Sequence, residues 1–184
     1  MTTQTSTAIG SALLRQQFDA AHQLLEATMA DVTTEQAHWM PPGIANPLGA
    51  TYAHVVSAED YIVQCMFKQV APLAATDWTG RTGVSEPMPS PGPQWSEYPG
   101  WTRRVTVDLA ALAVFAQAVY AATDAYVSGL NDADLARPFD LTPLGLGPQT
   151  VASALSIIAL NHVGNMTGEI SCLKGLQGAR GYPF

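Results

Sequence analysis

Apolar residues in this chain recur at steps of three and four along four long segments, and nowhere do they alternate long enough to line one face of a sheet. A chain patterned in this way buries its apolar stripes by packing helix on helix. The first segment covers about residues 7–30, where Leu14, Phe18, Ala21, Leu25 and Met29 fall on one face, and Ser6 or Thr7 is placed to cap its start. The second spans about 47–70. Asn46 and Pro47 read there as an N-cap and a first helical residue, and Tyr52, Val55, Val56, Ile62, Val63 and Met66 form the apolar face. The third covers about 107–129, with Asp108 near its N-terminus, where a carboxylate suits the helix dipole. The fourth covers about 148–175, with Pro148 in its first turn and Gly175 at its end. The expected fold is an all-α four-helix bundle in a single domain over 1–184.

Between the second and third segments lies a long irregular stretch, about 71–106, holding Trp78, Trp95 and Trp101 among many prolines and glycines. Connections of this length usually serve a function or cover one. This one allows a crossover between the second and third helices, and its tryptophans read either as anchors to the core or as a lid over the bundle mouth. A shorter irregular stretch, NDADLARPFDLTPLGLGP, leads into the fourth helix.

Composition narrows the function. Eight Lys plus Arg are scattered through a chain of net charge −7, with Arg103-Arg104 the one basic pair, so no nucleic-acid footprint or polybasic anchor is expected. No apolar run approaches eighteen residues and the N-terminus lacks the pattern of a signal peptide, so the expectation is a cytoplasmic protein without a membrane span. Cys65 and Cys172 are then expected as free, buried thiols.

Four histidines carry the remaining chemistry. His162 sits mid-helix between Ile158 and Met166, and His54 lies two turns into the second helix beside Tyr52, Val55 and Ala58. Two histidines from two helices facing one interior are how bundles build metal sites, although a core histidine satisfied by one hydrogen bond is the plainer reading of each alone. His22, between Phe18 and Glu26 on the first helix, and His38, near a turn, read as border or surface residues. Gly164 and Gly168 form a small-xxx-small pair, which suggests close helix approach.

The segment WMPPGIANPLGATYAHVVSAEDY, residues 39–61, resembles the first signature of the DinB/YfiT-like superfamily: Trp39, Pro42 and Gly43 in a turn, Asn46-Pro47 at a helix start, then His54 followed by Glu59 and Asp60. NHVGNMTGEI, residues 161–170, resembles the second signature through His162, Met166, Gly168 and Glu169. The resemblance runs from about residue 8 to 175 and implies a four-helix bundle, often a homodimer. It further implies a divalent metal, zinc or nickel, held by three histidines, one from the second helix and two from the fourth. Characterised members are thiol-dependent transferases and isomerases that use bacillithiol or mycothiol, with the metal activating the thiol.

In this chain His54 and His162 match two of those ligand positions, and Met166 stands at the third. A thioether is neutral and soft, and suits copper(I) or haem iron better than zinc or nickel. Glu59, Asn165 and Glu169 are the other candidates for the pocket. Glu169 is about 10 Å along the axis from His162, and Glu59 is rotated by about 140° from His54. Two readings follow from the resemblance. One is a metal-dependent thiol S-transferase-like enzyme with a degenerate His54/His162/Met166 site, its metal weakly bound or absent, acting on a small molecule with a low-molecular-weight thiol. The other is a metal-free small-molecule-binding or structural dimeric bundle on the same fold.

Overall fold

The structure is a computed structural model that describes residues 9–184; the Ser6 and Thr7 caps lie outside them. Helix α1, Ile9–Met29, buries Leu14, Phe18, His22, Leu25 and Met29 along one stripe. A short α2, Thr34–His38, starts from a capping box in which the Thr33 hydroxyl accepts from the Gln36 amide while the Gln36 side chain accepts from the Thr33 amide. Helix α3, Leu48–Asp60, begins one residue later than the sequence suggests. Pro47 is extended, with ψ 145°, and serves as the N-cap itself. The rod continues beyond α3 as a π-helical stretch, Tyr61–Phe67.

The long connection is more ordered than its composition implies. It holds 3₁₀ turns at Leu73–Ala75 and Pro93–Glu97 and a helix α4, Tyr98–Arg104. Both of its ends are tied down. The Asp60 carboxylate, 1% exposed, accepts from the Leu73 and Ala74 amides at 2.9 and 3.0 Å. Near the other end, Val84 bridges Val107 and the Asp108 amide donates to the Gly83 carbonyl at 2.8 Å. Gly83 has φ +80°, and a Cβ there would stand 2.4 Å from the Leu112 nitrogen, so only glycine lets the strand lie on the next helix.

Helix α5, Leu109–Ser128, is capped by Asp108, whose side chain accepts from the Ala111 amide. It is long and apolar enough, by length and composition, to cross a bilayer. Here it buries Leu112, Phe115, Ala116 and Val119 against neighbouring helices. After α6, Asp132–Ala136, comes a small antiparallel hairpin that the sequence does not announce, β1 (Pro138–Asp140) with β2 (Pro148–Thr150). Pro148 therefore belongs to a strand, and Thr150 caps the following helix. That helix runs unbroken through α7 (Val151–Ala154), a π-helical stretch (Leu155–Leu160) and α8 (Asn161–Leu176).

The chain is mostly helical, and its long helices close on one another: α1 packs on α5 and α8, and α3 packs on the same two. Leu25, Tyr52, Val56, Phe115, Val119, Val163 and Ile170 fill the main core, joined by Trp101 from the long connection. A second cluster, built on Phe18, Val127, Leu135 and Leu155, fills the end nearest the hairpin. Lys174, 2% exposed, locks the end of α8 to the end of α1 by donating to the Thr28 carbonyl at 2.6 Å and pairing with Asp31.

Candidate functional site

His54 projects from the middle of α3, and His162 from the first turn of α8, directly after the π-helical stretch. Their Nε2 atoms meet at 3.0 Å, with the rings nearly perpendicular at 83°. Met88, from the long connection, places its sulfur 3.2 Å from His54 Nδ1. A thioether can only accept, so the proton is on Nδ1 and the His54 Nε2 lone pair faces His162, whose Nε2–H donates to it. Burial holds His54 near pKa 3, with a smaller push from His162. Burial also lowers His162, partly opposed by the Glu59 carboxylate. Both rings are therefore neutral in the neutral pH range.

An aromatic roof covers the pair. The Tyr98 ring lies 5.0 Å from the His54 ring and stacks on Trp95 at 4.5 Å, with Trp101 behind it at 5.7 Å. The tryptophans of the connection divide their work. Trp101 is fully buried and donates to the Glu86 carbonyl, Trp78 packs on Phe115, and Trp95, 40% exposed, stays at the site's outer edge. Burial and nearby Glu169 push the Tyr98 phenol above its usual value, so it remains a hydroxyl donor.

The other expected residues are distributed differently. Met166 stands one turn beyond His162 and packs, partly buried, on the main core. Glu169 accepts a long hydrogen bond, 3.4 Å, from Thr51 on the seam between α3 and α8. Asn165 is exposed. Glu59 is buried, with its carboxylate held by His22 at 2.9 and 3.0 Å and by the Thr123 hydroxyl at 2.6 Å.

His22, expected at a border, is thus a buried residue. It is 7% exposed and stacks on Tyr120 at 3.8 Å. Beside it, Tyr52 and Tyr120 both donate to Glu26 Oε1, at 2.9 and 2.7 Å. His38 is a tether: its Nε2 accepts from the Val107 amide and its Nδ1–H donates to the Thr34 carbonyl. Cys65 is half-buried, with its thiol pushed up by burial, and Cys172 is exposed, which corrects the expectation of two buried thiols. The glycine pair also reads differently. A Cβ at Gly164 would meet nothing within 4 Å, and one at Gly168 would meet only the Tyr182 hydroxyl at 3.4 Å.

Paired imidazoles from the second and fourth long helices, roofed by the connection between the second and third, are an arrangement that comparison can place. A family model described as the DinB superfamily matches residues 17–165. The chain belongs to the DinB superfamily. Among solved structures, the crystal structure of a conserved protein from Enterococcus faecalis is similar in fold, with a TM-score of 0.67 at 23% identity, over 90% of this chain and 97% of that one. No curated protein matches.

The DinB resemblance implies a three-histidine divalent centre, and the residues present meet that requirement in part. Two nitrogens 3.0 Å apart can both lie about 2.1 Å from one ion, at an angle near 90°. Behind the ring, Met88 orients His54 through Nδ1, the task usually given to a carbonyl or carboxylate. Among the described residues no third nitrogen or carboxylate joins them, and no three of His, Cys, Asp and Glu are grouped to hold an ion. The pair alone therefore offers two nitrogens to an ion, Met166 packs on the main core, and the set does not fit a three-histidine zinc or nickel centre.

Proposed function

We propose that this DinB-superfamily chain is a four-helix bundle, with a long crossover between α3 and α5, whose working centre is the roofed His54–His162 pair. In this reading the pair is the ligand set of a weak metal centre, with Met166 at the third position, in a thiol S-transferase-like enzyme acting on a small molecule. The observation that supports it is the convergence of two neutral imidazole Nε2 atoms at 3.0 Å in a half-buried site. His54 Nε2 offers its lone pair as it stands, and the neutral His162 ring needs only to move its proton from Nε2 to Nδ1 before an ion binds both nitrogens.

Bound there, a metal ion would lower the pKa of a thiol or water beside it. The residues of the chain do the rest. Met88 fixes the His54 tautomer, and Tyr98 offers a hydroxyl that stays protonated. Tyr98 and Trp95 limit the entry of water from the side of the connection. The thiol comes from a low-molecular-weight cosubstrate, because Cys65 and Cys172 lie about 15 Å along their helices from the histidines. Assembly as a homodimer and a cytoplasmic location belong to the same proposal.

The test is metal content by plasma mass spectrometry on protein purified without a polyhistidine tag, beside Met166→His. Metal near one equivalent in the wild type supports the reading, and thiol-transfer assays follow. An empty wild type with a filled variant identifies a centre short of one ligand. If both are empty, the metal reading fails. A second reading, a metal-free small-molecule pocket, is favoured by the direct hydrogen bond between the two rings, which satisfies both nitrogens without an ion. A rise in Tm with a small molecule and none with metals would select it.

A further inference from the structure

We propose that the groove between α1 and α5 is a second ligand site, apart from the His54–His162 pair, and that it takes an aliphatic polyamine. The groove encloses about 720 Å³ and runs along α1 from Ala12 to Glu26, with residues 117–124 of α5 as its opposite wall. A buried histidine forms part of its floor. His22 is 7% exposed, and its Nε2–H is committed to the Glu59 carboxylate, which also accepts from Thr123. In the neutral ring this leaves an acceptor lone pair on Nδ1. Nδ1 has no partner among the described residues and is not sealed from solvent, so it opens onto the groove that His22 lines. One turn further along α1, Tyr52 and Tyr120 both donate to Glu26 Oε1, at 2.9 and 2.7 Å. Burial, and then Glu26 itself, push both phenols above their usual value, so both stay hydroxyl donors. They fix the Glu26 carboxylate and leave its Oε2 without a partner among the described residues.

The charges that line the groove do not balance. Arg15 on α1 is paired with Asp124 on α5 at 2.6 Å. Asp19 accepts from the neutral amide of Gln23, and Glu26 from the two phenols, so two carboxylates face the groove with no cation beside them among the described residues. They stand seven residues apart on one face of α1, about 10 Å along the axis. Phe18, Tyr120 and Ala121 give the same groove an apolar lining. A methylene chain with ammonium groups spaced to reach both carboxylates matches this pattern. One ammonium would donate to Glu26 Oε2 and His22 Nδ1, which lie one turn apart, and another to Asp19. An anion would find only Arg15, which is already committed.

The test is isothermal titration calorimetry of the full chain with spermidine, and with n-butylamine as a one-charge probe, in about 0.15 M salt, where distant charges are screened. The expected result is one spermidine per chain, held at least tenfold more tightly than n-butylamine. Glu26→Gln keeps an oxygen for both tyrosines and removes the charge, and should weaken spermidine at least tenfold. Glu97→Gln removes the same charge from an exposed position outside the groove and should change the affinity less than twofold. That comparison separates the groove from general attraction to an acidic chain. Ala121→Trp fills the groove from an exposed position on α5 and should also weaken spermidine at least tenfold; it carries the test if Glu26→Gln fails to fold. The proposal is overturned by any of four results: no spermidine binding, n-butylamine bound as tightly, equal losses in Glu26→Gln and Glu97→Gln, or indifference to Ala121→Trp.

Discussion

Acidification should destabilise this protein through His54 by an amount that can be worked out in advance. In the folded chain burial holds the ring near pKa 3, while in the unfolded chain it returns to about 6.5. As pH falls, the unfolded state takes up a proton first. The contribution is complete above pH 6.5 and is lost progressively towards pH 3. Between pH 7 and pH 5 the loss is about 2 kcal/mol. That figure is insensitive to the depth of the depression, because any folded value below about 4 gives nearly the same result in this window. Urea unfolding at pH 7 and pH 5, on wild type and His54→Gln, isolates it, since His162 and the carboxylates titrate in both proteins. Wild type should lose about 2 kcal/mol more than the variant. Equal losses would mean that His54 is protonated as readily in the folded chain as in the unfolded one, and the neutral, roofed pair would be refuted.

Other substitutions probe the scaffold around the pair. Glu59→Leu strands the buried His22 ring and the Thr123 hydroxyl, and should cost about 3 kcal/mol in chemical denaturation; a change under half that size would show the network to be slack. Gly83→Ala combines φ +80° with contact on the Leu112 backbone, and should lower stability by about 2 kcal/mol or more, read as a fall in Tm. Trp101→Ala empties a fully buried site beneath Tyr98 and should cost about 4 kcal/mol. The same change should raise hydrogen exchange in residues 85–104 ahead of the long helices; a uniform rise would contradict the anchoring role.

The long helices are legible in the sequence because their burial is periodic: Leu14, Phe18, Leu25 and Met29 are buried at the spacing their positions imply. Their starts are less legible. Proline is as acceptable in extended backbone ahead of a helix as in the first turn: Pro47 is the extended N-cap of α3, and Pro148 opens a strand whose last residue, Thr150, caps α7. The hairpin escapes notice because strands of three residues, each containing proline, leave no alternation to read. At the site, His54 and His162 stand out through their helices. Met88 does not, because nothing within an irregular segment announces which side chain turns inward. His22 looks marginal from its own helix, and its partner lies 37 residues away on another one. The spacing of Phe18, His22 and Glu26 was the available signal, and only packing gives it meaning.

Each long helix that carries a site histidine includes a π-helical stretch, Tyr61–Phe67 beyond His54 and Leu155–Leu160 just before His162. Such a stretch is in effect a single-residue insertion absorbed without breaking the rod. Were 155–160 to relax into regular α geometry with every residue kept, the change would look benign from the helix alone. Everything beyond it would turn by about 100° and advance by about 1.5 Å. His162 would swing away from His54 at one end of α8, and Lys174 would leave Asp31 at the other. The aim of the site and the clasp between the ends of α1 and α8 therefore hang on the same irregular turn.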